Sequence, residues 1–117
     1  MRLRNAHLAL VERHKVLEYL LNAAHPDNGG KAQFFKSLGF IRENAELLVS
    51  ALRIVAQTGE VVETVDSIHG EKYVVDGRVS SQTEKGRQQM VRTVWIIDRG
   101  VDAPRLVTAY PGRERLS

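Results

Sequence analysis

Three segments of the chain carry polar side chains in settings where they could bind or react. The first is YLLNAAHPDNGGKAQFF, Tyr19 to Phe35, which sets His25 in a glycine-rich loop and Lys31 at the start of the following helix. Loop amides and the first turn of a helix favour an anion, and the Lys31 ammonium would add charge. The spacing is not that of a Walker loop, because Ala32 follows Lys31 where Ser or Thr is required. That disfavours a nucleoside triphosphate. The plain alternative is a capped helix with Lys31 in solvent and His25 supporting the turn.

The second segment is VRTVWIIDRG, Val91 to Gly100. In a strand, Val91, Thr93, Trp95 and Ile97 share one face, and Met90, Arg92, Val94 and Ile96 share the other. Arg92 therefore falls on a largely apolar face, where a guanidinium must find an acceptor. The acceptor is either a structural carboxylate, the commoner outcome, or a ligand phosphate. Thr93 and Trp95 are more often packing residues than catalytic ones. The third segment is PRLVTAYP, Pro104 to Pro111. Strict alternation sends Leu106, Thr108 and Tyr110 one way and Arg105, Val107 and Ala109 the other. A threonine and a tyrosine on one face, beside a strand carrying Arg92 or Thr93, can build a small polar site, although both residue types also favour strands for packing alone.

Other chemistries lack a pattern. His7, His14, His25 and His69 show no paired ligand spacing, and neither an HExxH motif nor clustered carboxylates indicate a metal. The chain has no cysteine nucleophile and no GxSxG elbow. Glu43 and Glu46, three residues apart, read as a solvated helix face. No metal and no cofactor is expected.

The elements that must position these residues follow from periodicity. Val16, Leu17, Leu20 and Leu21 predict a short amphipathic helix over Lys15 to Asn22. Ala23 to Gly30 reads as a loop, since His-Pro disfavours helix and Asn-Gly-Gly is turn chemistry. A second helix is expected from about Lys31 to Leu38, with Ala32, Phe35 and Leu38 on one face and Gly39 in the left-handed position after it. The third is the clearest: Ala45, Leu48, Leu52 and Val55 form a stripe widened by Leu47, Ala51 and Ile54, and Gly59 ends it. Beyond Gly59 the period becomes that of strands. Val61 to Val65, Tyr73 to Val79, Met90 to Ile97 and Leu106 to Tyr110 give four, joined by short connections that argue for an antiparallel meander with Met90 to Ile97 central. Helices first and strands afterward predict the α+β class, with about three N-terminal helices packed on a four-stranded antiparallel sheet. One domain over residues 1–117 is expected: an N-terminal segment at 1–14, a helical part at 15–58, the sheet at 59–111 and a tail at 112–117.

Composition agrees. A chain of 117 residues with 43% hydrophobic and 26% charged residues can bury one core and is far from a disordered composition. No apolar run approaches the roughly 18 residues that span a bilayer. The opening MRLRNAHLALVERH breaks its short apolar stretch at Glu12, Arg13 and His14, which is not the pattern of a signal peptide. With no cysteine there is no disulfide framework, and the cytoplasm is the expected location. The net charge of +3 is concentrated late. From Lys85 onward seven basic residues face three acidic ones, which is compatible with nucleic acid as well as with a soluble surface and a basic tail.

Taken together, YLLN…HPDNGGKAQFFKSLGF, VRTVWIIDRG and PRLVTAYP resemble an uncharacterised bacterial family of small standalone proteins, over about Tyr19 to Pro111. Leading helices followed by a four-stranded sheet whose late strand ends T-A-Y-P is also similar, more distantly, to the barnase–EndoU–colicin–RelE group of ribonucleases, many of them bacterial toxins. That resemblance implies RNA as substrate, a cognate antitoxin or immunity protein as partner, and metal-independent transfer of a phosphodiester to the neighbouring 2′-hydroxyl. It implies His25 as acid or base, Lys31 and Arg92 on the phosphate, and Thr108 and Tyr110 orienting it. Trp95 would stack a base if exposed. The chain departs from the group's better-known members in lacking a second histidine pair, with His69 as the other sheet-side candidate. The rival expectations are a non-catalytic binding, immunity or adaptor module, and a small-molecule or nucleotide enzyme built on the Gly-Gly-Lys loop.

Overall fold

The computed structural model describes residues 1–113, so residues 114–117 of the expected tail lie outside the described residues. Three helical segments precede four strands. The first, α1, is an α-turn at Arg13–Lys15 that runs directly into a π-helical stretch, Val16–Leu20; α2 spans Lys31–Ser37 and α3 spans Ala45–Thr58. The strands β1 (Glu60–Ser67), β2 (Gly70–Ser80), β3 (Gln88–Asp98) and β4 (Arg105–Pro111) form one antiparallel sheet in sequential order. The α+β class, the helix-then-sheet order and the central place of Met90 to Ile97 all hold.

One sheet face meets the helices. Tyr73, Val75 and Val79 of β2, Val91, Trp95 and Ile97 of β3, and Leu106 and Ala109 of β4 are buried there with Phe35, Leu38, Leu48, Leu52 and Val55. Trp95 is fully buried, so it has no face to offer a base. Its indole Nε1 donates to Thr93 Oγ1 (2.7 Å), and that hydroxyl donates to the Val75 carbonyl (2.8 Å). The two polar groups inside this apolar layer are thereby satisfied. The apolar stripe on α3 is narrower than its sequence predicts: Leu47 is 48% and Ile54 55% exposed, because the sheet covers the Leu48, Leu52 and Val55 side alone.

Two local departures matter for the site. The first is the π-helical stretch, in which Leu21 N–H donates to the Val16 carbonyl (2.8 Å), where the 3.6-residue pattern predicted an ordinary helix. The second is a bulge in β4. Val94 pairs with Thr108 but Trp95 pairs with Leu106, so Val107 is extra. Strict alternation put Leu106 with Thr108 and Tyr110. The bulge instead turns Leu106 inward with Ala109, while Thr108 and Tyr110 stay together on the opposite face.

The N-terminal segment, which carried no periodic signal, closes the free edge of β4. Leu10 N–H donates to the Pro104 carbonyl (2.8 Å), and Leu106 N–H donates to the Leu10 carbonyl (3.0 Å). Leu3, Ala9 and Val11 are buried against the core as this segment passes. A backbone laid along an edge satisfies groups that would otherwise be open to pairing with another chain.

Candidate functional site

The turn sequence between α1 and α2 determines where His25 and Lys31 stand. Gly29 and Gly30 both adopt left-handed backbone, with φ of 60° and 88°, which lets the chain reverse within two residues. Asn28 is buried and fastens the loop from inside. Its Nδ2 donates to the carbonyls of Tyr19 (2.6 Å) and Leu20 (3.3 Å), and its Oδ1 accepts from Ala32 N–H (2.9 Å) in the first turn of α2. One side chain thus ties the end of the π-helical stretch to the start of α2.

Tyr19 is the meeting point. The His25 ring packs edge-on against it at 5.0 Å between centroids, and Lys31 Nζ lies 5.4 Å from its ring centroid. Its hydroxyl is 3.0 Å from Thr108 Oγ1. His25, Lys31 and Thr108 therefore come from a loop, a helix and an edge strand to the ring and the hydroxyl of one phenol. A cleft of 510 Å³ opens beside it, lined by His14, Lys15, Glu18, Tyr19, His25, Asp27, Val107 and Thr108. The bulge serves this arrangement, for the carbonyl of the extra residue Val107 accepts from Lys15 Nζ (3.2 Å) at the cleft wall.

The glycine-rich loop does not present amides to Lys31. Lys31 Nζ donates to the carbonyls of Asp27 (3.2 Å) and Asn28 (3.1 Å), so carbonyl oxygens surround the ammonium. The loop amide of Asp27 is also committed, donating to His25 Nδ1 at 3.1 Å. The amides of Asn28 and Lys31 are likewise taken, by the carbonyls of His25 (3.0 Å) and Asn28 (3.1 Å), so these three amides are not turned to an anion.

Arg92 and Tyr110 lie outside this group. They are cross-strand partners in the β3–β4 register, but the guanidinium turns the other way, toward β2. Arg92 Nε and Nη2 donate to the two carboxylate oxygens of Asp76, each at 2.8 Å. That fork holds the Arg92 charge more firmly than an ordinary arginine, because the Asp76 hydrogen bonds outweigh its partial burial. Of the two acceptors open to Arg92 in the sequence, the structural carboxylate is the one used. The five residues singled out from the sequence thus divide into His25 and Thr108 at the cleft, Lys31 beside them against the Tyr19 ring, and Arg92 with Tyr110 further along the sheet. His69, at the β1–β2 turn, is exposed and remote from both.

Sequence reasoning passed over Tyr19, Asn28, Lys15 and His14. Tyr19 and Lys15 had one signal, a spacing of four on a segment whose other face is apolar. Asn28 stands three residues before a helix start, a position suited to accepting a first-turn amide. His14 had none, since nothing local shows that the turn Arg13–Lys15 and the loop carrying His25 line one cleft. Among the described residues, no group of three or more His, Asp or Glu gathers to hold a metal ion, and no helix is long and apolar enough to cross a membrane.

The molecule is thus an α+β protein with a polar cleft at the covered edge of an antiparallel meander. Residues 2–113 match the family described as a domain of unknown function (DUF6883), and the chain belongs to that family. No curated protein matches it. Among solved structures it is similar to a chain of the "Contact-dependent growth inhibition toxin - immunity protein complex from Klebsiella pneumoniae 342". That likeness has a TM-score of 0.69 at 15% identity and covers 93% of this chain and 97% of that one. At such identity the likeness establishes a shared fold.

Proposed function

We propose that this protein is a toxin-like ribonuclease that cleaves RNA without a metal, by transfer of a phosphodiester to the neighbouring 2′-hydroxyl. The observation that carries the reading is the gathering of His25 and Thr108 with Tyr19 in the lining of one cleft, with Lys31 against the Tyr19 ring behind it. Such a transfer needs proton acceptors and donors within reach of the 2′- and 5′-oxygens, and positive charge beside the phosphorane. The cleft supplies imidazoles, the ammonium group of Lys15, and the hydroxyls of Tyr19 and Thr108 to orient the phosphate, with the Lys31 charge behind the Tyr19 ring. Arg92 and Tyr110 are left to the sheet surface, outside the chemistry. The fold shared with a chain of a toxin–immunity protein complex supports a place in a toxin system, with an antitoxin or immunity protein as partner; RNA in the cytoplasm is the target this reading assigns.

The test is incubation of the protein with mixed RNA in EDTA. Cleavage to 2′,3′-cyclic phosphate ends, lost in His25→Ala and Lys31→Ala, is the expected result; intact RNA with all three proteins alike defeats the reading.

A second reading, a non-catalytic binding or immunity module, draws on the commitment of Arg92 to Asp76, which removes one expected phosphate ligand from play. Induced expression separates the two. Growth arrest relieved by a co-expressed partner favours the toxin, and harmless accumulation favours the module.

A further inference from the structure

The two imidazoles of the cleft have opposite neighbours at Nδ1. At His25, the Asp27 main-chain N–H donates to Nδ1 at 3.1 Å. A main-chain amide can only donate, so Nδ1 must be the bare nitrogen, and the neutral ring carries its hydrogen on Nε2. Tyr19 holds the same ring edge-on. In this state Nε2 can donate a hydrogen bond but has no lone pair with which to take a proton. A second proton would have to enter at Nδ1, at the expense of the Asp27 bond.

His14 has the opposite neighbour. Its exposed Nδ1 is 3.6 Å from Glu12 Oε2, beyond hydrogen-bond length, and the charge of a carboxylate on that side favours the tautomer with hydrogen on Nδ1, leaving the Nε2 lone pair open. His14 lines the same cleft as His25, with Lys15, Glu18, Tyr19 and Asp27 as the other ionisable groups of the lining and Lys31 behind Tyr19. Resting on the RNA-cleaving reading above, we infer that His14 is the general base of the transfer and that His25 is a neutral hydrogen-bond donor to the phosphate.

The step balances without a further reactant. His14 Nε2 takes the 2′-hydroxyl proton as the 2′-oxygen bonds to phosphorus. His25 Nε2–H and the Lys15 ammonium stabilise the phosphorane oxygens. The bond from phosphorus to the 5′-oxygen breaks, leaving a 2′,3′-cyclic phosphate, and the 5′-oxygen takes a proton from water. His14 then returns its proton to solvent.

The experiment compares the full chain with His14→Ala, His25→Ala and His25→Gln on RNA in EDTA, each checked for an unchanged melting transition. His14→Ala should lose cleavage by roughly 10²–10⁴-fold, the range of a general base, and regain part of it with added imidazole. His25→Ala should lose roughly 10²–10³-fold, as for a removed donor, without imidazole rescue. His25→Gln, whose amide N–H₂ can stand where Nε2–H stood, should recover most of that loss, to within about tenfold of the native chain. A His14→Ala protein as active as the native chain overturns the inference. So does imidazole rescue of His25→Ala, or a His25→Gln protein no better than His25→Ala. In those cases the native chain still cuts RNA and the wider reading stands, whereas intact RNA with the native chain defeats both.

Discussion

The Tyr19 hydroxyl stands 3.0 Å from Thr108 Oγ1, across 89 residues of sequence, and joins the π-helical stretch to the bulged edge strand. Both residues are half-buried, so the bond is shielded from full competition by water. Tyr19→Phe keeps the ring on which His25 and Lys31 rest and removes the bond alone. It should cost about 1 kcal/mol of stability in urea denaturation, a typical net value for one hydrogen bond, and should also reduce RNA cleavage. An unchanged midpoint with unchanged cleavage would show that this bond neither orders the cleft nor takes part in it.

The buried Trp95 indole donates to Thr93 Oγ1 at 2.7 Å. Thr93→Val is close in shape but strands that N–H in an apolar layer, at a cost of about 1–3 kcal/mol. Thr93→Ser should restore most of it. Thermal melts of the three proteins decide the matter, and a valine variant as stable as the native chain would refute the account of the Thr93–Trp95 relay.

Arg92 should matter to stability more than to cleavage. A double-mutant cycle on Arg92→Ala and Asp76→Ala is expected to give a coupling energy of about 1 kcal/mol, since the pair is bidentate but only partly buried. RNA cleavage by Arg92→Ala should stay within about threefold of native, the range of a residue outside the chemistry. Loss of cleavage with stability intact would instead return Arg92 to the site.

The acid limb of stability should report Asp98. The Arg105 guanidinium, bonded to it at 2.8 Å, holds the Asp98 carboxyl below its ordinary range. A carboxyl with a depressed folded-state value adds stability that is present above the unfolded value of about 3.9 and is lost as pH falls through the lower folded value. Asp98→Asn should therefore flatten part of the decline in urea midpoint below about pH 4. Equal acid slopes in the two proteins would show that the pair is idle in water.

Much of the architecture was legible because it depends on local pattern. The change of hydrophobic period after Gly59 marks the passage from helices to strands, and the β-branched run Met90 to Ile97 marks the central strand. Gly39 adopts the left-handed backbone expected after α2, with φ of 87°. The same pattern failed where one residue was inserted or a turn widened. Alternation cannot show that Val107 is extra, because the choice between bulge and register slip is made by Trp95 and Ala109 entering the core. Nor can a 3.6-residue stripe show a π-helical turn.

Sequence by itself determined the class of the protein, the order of its elements and the residue types available for chemistry. His25 and Lys31 were bound to be near one another, since a short turn with two left-handed glycines joins them. Only the tertiary structure decided which other residues they meet. It brought Tyr19, Thr108 and His14 to them and sent Arg92 to Asp76. The physical reason is that period and turn chemistry act over a few residues. The partner of a polar side chain is instead chosen by whatever the packed core brings within 3 Å or so, and no local rule encodes that choice.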